Sequence, residues 1–116
     1  MNHLDLRYII ENVTDDQAFI EELLIIFLEG LGEDYPVLMQ EISTSNHEGI
    51  RQAAHKLKSS FRSLGMKNGW HALQEIEDLG TAGAPLNQIK DKVDEFNLMI
   101  PEVKSEVRLY IDQHKP

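Results

Sequence analysis

Apolar residues recur at intervals of three and four positions along most of this 116-residue chain, and no stretch alternates as a β-strand does. This spacing gathers the apolar side chains on one face of an α-helix. Four long segments carry the pattern, and the links between them are short. The sequence therefore predicts an all-α fold, an antiparallel up-down four-helix bundle with short N-terminal helical additions, in a single domain over 1–116.

Residues that bond to free backbone amides mark where the helices begin. Asp5 precedes the apolar residues of a short first helix, while Thr14 with Gln17, and Ser45 with Glu48, have the spacing of capping boxes. We therefore expect the first two long helices to begin just after Thr14 and Ser45.

Prolines interrupt two of the long segments. Pro36 follows Gly30 and Gly32 inside the segment 15–44, which is expected to form either one bent helix or two abutting helices. Pro101 removes the amide partner of the Asn97 carbonyl and should bend the last helix. In the first half of the segment 15–44, the apolar positions predict a core face made of Phe19, Leu23, Ile26, Phe27 and Leu31.

The helix predicted to end at Gly65 holds one histidine away from its apolar side. His55 falls about 150° from the centre of the apolar stripe, at roughly 100° per residue. Arg51, Lys58 and Arg62 lie about one turn before or after it. A lone histidine is thus expected to face water among cations. The apolar stripe consists of Ile50, Ala53, Ala54, Leu57, Phe61 and Leu64.

Acidic residues dominate the chain but avoid the surroundings of His55. The composition is that of a globular protein, with 41% hydrophobic and 27% charged residues, and the net charge is −9. Residues 49–74 contain five Lys or Arg and no Asp or Glu. The overall charge argues against nucleic-acid binding, whereas the local basic segment suits a focused anionic target, such as a phosphoryl group or an acidic pocket of another protein.

Other features bear on location and on metal binding. The chain has no cysteine, which fits a reducing cytoplasm and leaves no disulfide or thiol site. Its most apolar run, 19–28, contains Glu21 and Glu22 and is shorter than the roughly 20 residues that cross a bilayer, so no membrane insertion is expected. The five histidines lack the i, i+4 and Glu-x-x-His spacings of bundle metal sites, so no metal site is expected.

The residue pattern alone leaves two interpretations of His55 open. Surface His, Lys and Arg are common, so this face can be an ordinary solvated surface. Alternatively, the imidazole is a nucleophile whose neighbours attract an incoming anion.

The run His55-Lys56-Leu57-Lys58-Ser59, followed by Leu64-Gly65, resembles the motif His-x-Leu/Ile-Lys-Gly of the histidine-containing phosphotransfer (HPt) domains of multistep phosphorelays. The likeness extends over most of the chain, including the apolar run 25–29 and the helix from Trp70 to Glu77. The motif lies on the outer face of the second long helix, where the family carries it.

The resemblance implies that His55 accepts a phosphoryl group at Nε2 from a receiver aspartate and passes it to another receiver. Lys58 would stand exposed and attract the phosphoryl oxygens. Ser59 replaces the family's usual glycine near the docking partner, and Gly65 matches a small residue of the family that equally serves as a helix cap.

Three further residues have both a functional and an ordinary interpretation. Glu77, twenty-two positions after His55, matches a family residue that bonds Nδ1–H, and it can also be a solvated glutamate. Arg51 and Arg62 match no strict family position; they either assist with phosphate or simply keep the surface soluble.

The resemblance also implies partners. These are receiver domains and a hybrid sensor histidine kinase, with Mg²⁺ bound by the receiver rather than by this chain, which would be a monomeric phosphocarrier and not an enzyme. The alternative is a structural or adaptor bundle that binds a signalling partner without phosphotransfer.

Overall fold

The computed structural model describes residues 2–114 and contains five helices and no strand over that range. Short connections of three to four residues separate the long helices, so an all-α fold is confirmed. No helix in residues 2–114 has the length and apolar character needed to cross a membrane. The helices are α1 (Leu6–Asn12), α2 (Gln17–Ser43), α3 (His47–Ser63), α4 (Lys67–Thr81) and α5 (Leu86–Gln113).

The four long helices enclose one apolar core. Each packs on the next along the chain, and α5 also returns to pack on α2. Phe61 of α3 is fully buried at the centre, with its ring centroid 5.0 Å from that of Phe27 and 5.5 Å from that of Phe96. Both pairs have the edge-to-face geometry that aromatic rings favour. Residues from α2, α3 and α5 thus meet in a single aromatic cluster.

The predicted core face of α2 is partly wrong. Phe27 and Leu31 are buried, but Phe19 and Ile26 are 45% and 63% exposed. Residues 19–28 are apolar nearly all round the helix, so the helical repeat of 3.6 residues per turn does not single out one buried face. Packing against α3 and α5 selects the face that α2 buries, which is Ile20, Leu24, Phe27, Leu31, Leu38 and Ile42.

Two helix caps differ from the prediction by one or two residues. Asp5 caps α1 as predicted. Asp16, rather than Thr14, accepts the first amides of α2, because the Thr14 hydroxyl already accepts from the Asp16 amide. Asn46 caps α3, since Ser45 has a φ of 57° and belongs to the preceding turn.

Both internal prolines lie within continuous helices. α2 runs through Pro36 as one continuous helix rather than two abutting helices, and α5 runs through Pro101. Near these prolines the Tyr35 hydroxyl donates a 2.5 Å hydrogen bond to Oδ1 of Asn97, which ties α2 to α5. Contacts between helices therefore support α2 and α5 where the prolines interrupt their internal hydrogen bonds.

Candidate functional site

His55 projects from the outer face of α3. Its neighbours Ala54 and Leu57 are buried in the core, whereas the His55 side chain is 58% exposed. The apolar stripe of α3 therefore fixes the direction of the histidine, as the sequence predicted.

A carboxylate on the next helix holds one nitrogen of the His55 ring. Nδ1 of His55 lies 2.6 Å from Oε1 of Glu77, a residue of α4 whose side chain is only 14% exposed. A carboxylate only accepts hydrogen bonds, so Nδ1 carries the proton of this contact. In the neutral ring Nε2 is then the nitrogen with a free lone pair.

The expectation that Lys58 is an exposed residue is wrong. Its side chain is 9% exposed, and Nζ donates to Oε2 of Glu77 at 3.2 Å and to Oε1 of Gln74 at 2.9 Å. Lys58 lies on the side of α3 that packs against α4, and its aliphatic stem is buried there. The ammonium group is consequently committed to residues of α4.

Sequence reasoning missed Gln74 and Asp78. The amide Nε2 of Gln74 donates to Oδ1 of Asp78 at 2.8 Å and to Oε2 of Glu77 at 3.3 Å. Gln74 lies three residues before Glu77 and four before Asp78, so its side chain can meet both of them on α4, a spacing visible in the sequence. A search for polar groups one turn from Glu77 would have found Gln74.

Opposing effects act on the Glu77 carboxyl. Burial raises its pKa, but the hydrogen bonds from Lys58 and His55, together with the charges of these residues, outweigh burial and leave the pKa below its ordinary value. Glu77 is therefore ionised at neutral pH and accepts hydrogen bonds at both oxygens.

The lowered pKa of Glu77 predicts how stability responds to acid. Its contribution is fully present above the ordinary value of 4.5 and is lost as the pH falls through the lower folded-state pKa. We expect Glu77→Gln to be less stable than the wild type at neutral pH, with the gap closing as the pH falls below 4.5. Urea unfolding across this range measures the gap, with the exposed Glu22→Gln as the control; a gap independent of pH would contradict the prediction.

The two predicted arginines have partners of their own. The Arg51 guanidinium binds the Glu48 carboxylate through Nε at 2.9 Å and Nη2 at 2.6 Å. The Arg62 guanidinium lies over the ring of Trp70, 5.3 Å from its centroid. Neither makes a hydrogen bond with His55 or Glu77, so the structure does not bring them into the hydrogen-bonded site.

Ser59 and Gly65 occupy different surroundings. The Ser59 hydroxyl donates to the His55 carbonyl at 3.1 Å, so a small side chain covers the helix one turn after the histidine. Gly65 has a φ of 71°, and a Cβ there would overlap the ring of Tyr8. Gly65 is thus the predicted left-handed residue after α3, and it lets α1 approach the bundle.

An apolar depression lies between α2 and the C-terminal end of α3. It has a volume of about 190 Å³, and Ile26 is its most exposed large side chain. Nearby, Lys56 of α3 pairs with Asp34 of α2 at 3.1 Å. The depression is lined by Leu23, Ile26, Phe27, Gly30, Ser60, Ser63 and Leu64.

Within residues 2–114, no three His, Asp or Glu side chains are grouped so that they could hold a metal ion. The acidic groups nearest to His55 bind protein donors instead: Glu77 binds the histidine and Lys58, and Asp78 binds Gln74.

The fold and the site define an all-helical domain in which the solvent-exposed His55 is held through one ring nitrogen. A family model for the Hpt domain matches residues 22–106, well over half of the chain. The chain belongs to the Hpt domain family. Hpt domains act in phosphotransfer of two-component signalling, as phosphocarriers that interact with receiver and kinase domains. No curated protein and no solved structure was found to match.

Proposed function

We propose that His55 carries a phosphoryl group between receiver domains in a multistep phosphorelay. The observation that carries this proposal is the 2.6 Å contact between Nδ1 of a solvent-exposed His55 and the Glu77 carboxylate. This contact leaves Nε2 as the free, accessible nucleophile.

In the proposed step, the Nε2 lone pair forms a bond to phosphorus of the receiver's aspartyl phosphate. The bond between phosphorus and the aspartyl oxygen breaks, and the receiver's carboxylate leaves with the electron pair. The ring becomes more acidic as Nε2 gains the phosphoryl group, and the Glu77 carboxylate stabilises the proton on Nδ1. Transfer to the next receiver reverses these bond changes at another aspartate.

The proposal extends to the partner domains, the metal ion and the arrangement of the helices. The receiver supplies Mg²⁺ and most of the groups that stabilise the transferring phosphoryl. The long helices run alternately up and down in one monomeric domain over 1–116, and a hybrid sensor histidine kinase stands upstream. Arg51, Arg62 and the basic segment 49–74 contribute a positive field rather than direct contacts.

The chemistry of the phosphorylated residue tests the proposal. The protein is incubated with Mg²⁺ and a receiver phosphorylated with labelled phosphate. We expect label on this chain that survives alkali and is lost in acid, as a phosphoramidate is, and that a second receiver then removes. An alkali-labile label, or no label from a panel of receivers of the same genome, would overturn the proposal.

We expect a receiver that reaches His55 to dock also on the apolar depression between α2 and the C-terminal end of α3. Ile26 is 63% exposed at its rim, so Ile26→Asp should weaken receiver binding about tenfold or more while stability changes little. Leu98→Asp, at a position on α5 that is 76% exposed, is the control. Titration calorimetry with a receiver measures both variants; equal affinities, or a steep dependence on salt in the wild type, would point to the basic segment instead.

A further inference from the structure

The Gln74 amide bridges a cation and an anion between α3 and α4. Its Oε1 accepts from Nζ of Lys58 at 2.9 Å, and its Nε2 donates to Asp78 at 2.8 Å and to Glu77 at 3.3 Å. The ammonium can only donate and the carboxylates can only accept, so the chemistry of the partners determines which end of the amide is which. Gln74 thus has one defined orientation.

The Glu77 carboxylate is held at both oxygens. Oε1 faces Nδ1 of His55, while Oε2 receives Lys58 at 3.2 Å and Gln74 at 3.3 Å. A carboxylate fastened on one side only would rotate about its terminal torsion, which has a broad energy profile. The contacts at Oε2 therefore determine where Oε1 lies.

The Lys58 ammonium is poorly placed for direct contact with a phosphoryl group on His55. The side chain is 9% exposed, against 58% for His55, and two of the three donor directions of Nζ point at Gln74 and Glu77. Contact with an incoming anion would require Lys58 to leave these partners.

We propose that Gln74 and Lys58 are positioning residues that act on His55 through Glu77. The inference rests on the proposed role of His55 as the phosphoacceptor. Gln74 anchors the ammonium, and the ammonium anchors Oε2. The oriented carboxylate then keeps the proton on Nδ1 and the lone pair on Nε2.

The charge of Lys58 has a second effect in this arrangement. An unpaired carboxylate beside a histidine favours the imidazolium, in which Nε2 has no lone pair to attack phosphorus. The Lys58 ammonium offsets the negative charge of Glu77, and the Arg51 guanidinium nearby acts in the same direction. The Asp78 carboxylate, which binds the other end of the Gln74 amide, acts in the opposite direction.

Nitrogen NMR of the His55 ring in the unphosphorylated protein tests this inference. The variants are Gln74→Met, Lys58→Met and the double change, with the exposed Gln88→Met of α5 as the control. We expect each single change to lower the fraction of ring protonated only at Nδ1, and Gln74→Met to slow phosphotransfer about fivefold, the usual effect of one hydrogen bond. The double variant should resemble Lys58→Met alone, because Gln74 acts through Lys58.

The opposite pattern would overturn the positioning role: Lys58→Met slows transfer while the ring protonation stays as in the wild type, and Gln74→Met changes neither. Should Lys58→Met fail to fold, Gln74→Met decides the question, since Gln74 is only partly buried at the edge of the interface. The ring measurement needs no phosphoryl donor. A protein that accepts no phosphate would therefore overturn the proposed function, whereas the NMR result would still decide the positioning role.

Discussion

Replacing His55 with glutamine is expected to reduce phosphotransfer to background while the domain stays folded. Glutamine can keep a polar contact with Glu77, but its amide nitrogen has no lone pair available to attack phosphorus. Since the His55 side chain is 58% exposed, weakening its hydrogen bond to Glu77 should cost no more than about 1 kcal/mol in the free energy of unfolding. Labelled transfer from a phosphorylated receiver measures the first effect, and urea unfolding measures the second.

A second exposed histidine supplies the control. His71 lies on α4 against Trp70, with ring centroids 4.0 Å apart, and it makes no contact with Glu77. His71→Gln should accept phosphate at the wild-type rate. Label that persists in His55→Gln would contradict the assignment. A wild-type protein that binds receivers but accepts no phosphate would favour the adaptor alternative.

Replacing Phe61 with alanine is expected to cost about 3–5 kcal/mol of unfolding free energy. The ring is fully buried and packs edge-to-face on Phe27 of α2 and Phe96 of α5, so its removal leaves a cavity at the junction of three helices. Gly69 also approaches this ring, and a Cβ at Gly69 would overlap it. Urea unfolding followed by circular dichroism measures the loss.

Phe19→Ala is the matched control for this prediction. Phe19 belongs to the same apolar part of α2 but is 45% exposed, so its truncation should cost less than about 1 kcal/mol. Equal losses for Phe61→Ala and Phe19→Ala would contradict the core assigned to the domain. A smaller loss of unfolding free energy for Phe19→Ala than for Phe61→Ala would agree with the exposure of Phe19 in the structure.

The spacing of apolar residues was sufficient to predict the helices and the direction of His55. α3 has a single apolar stripe, and a single stripe leaves only one side for the histidine. The same reasoning failed on α2, because residues 19–28 are apolar all round and the buried face depends on what packs against it. Caps shifted by one or two residues because the Thr14 hydroxyl accepts from the Asp16 amide, and because Ser45 lies in the turn that precedes α3.

The sequence likewise predicted some features of the candidate site and not others. The positions of His55 and Glu77 followed from the motif and its resemblance, and the structure places the two side chains 2.6 Å apart. The surroundings of Lys58 did not follow, because the helical angle alone placed it on the polar side.

By itself, the sequence determined the all-α fold, the extent of the long helices and the histidine that faces water, because these depend on periodicity and capping within single segments. Only the tertiary structure decided which face of α2 is buried, that Lys58 lies within the α3–α4 interface, and that Gln74 joins it to Glu77. These features depend on the rotation and separation of two packed helices, which no single segment encodes.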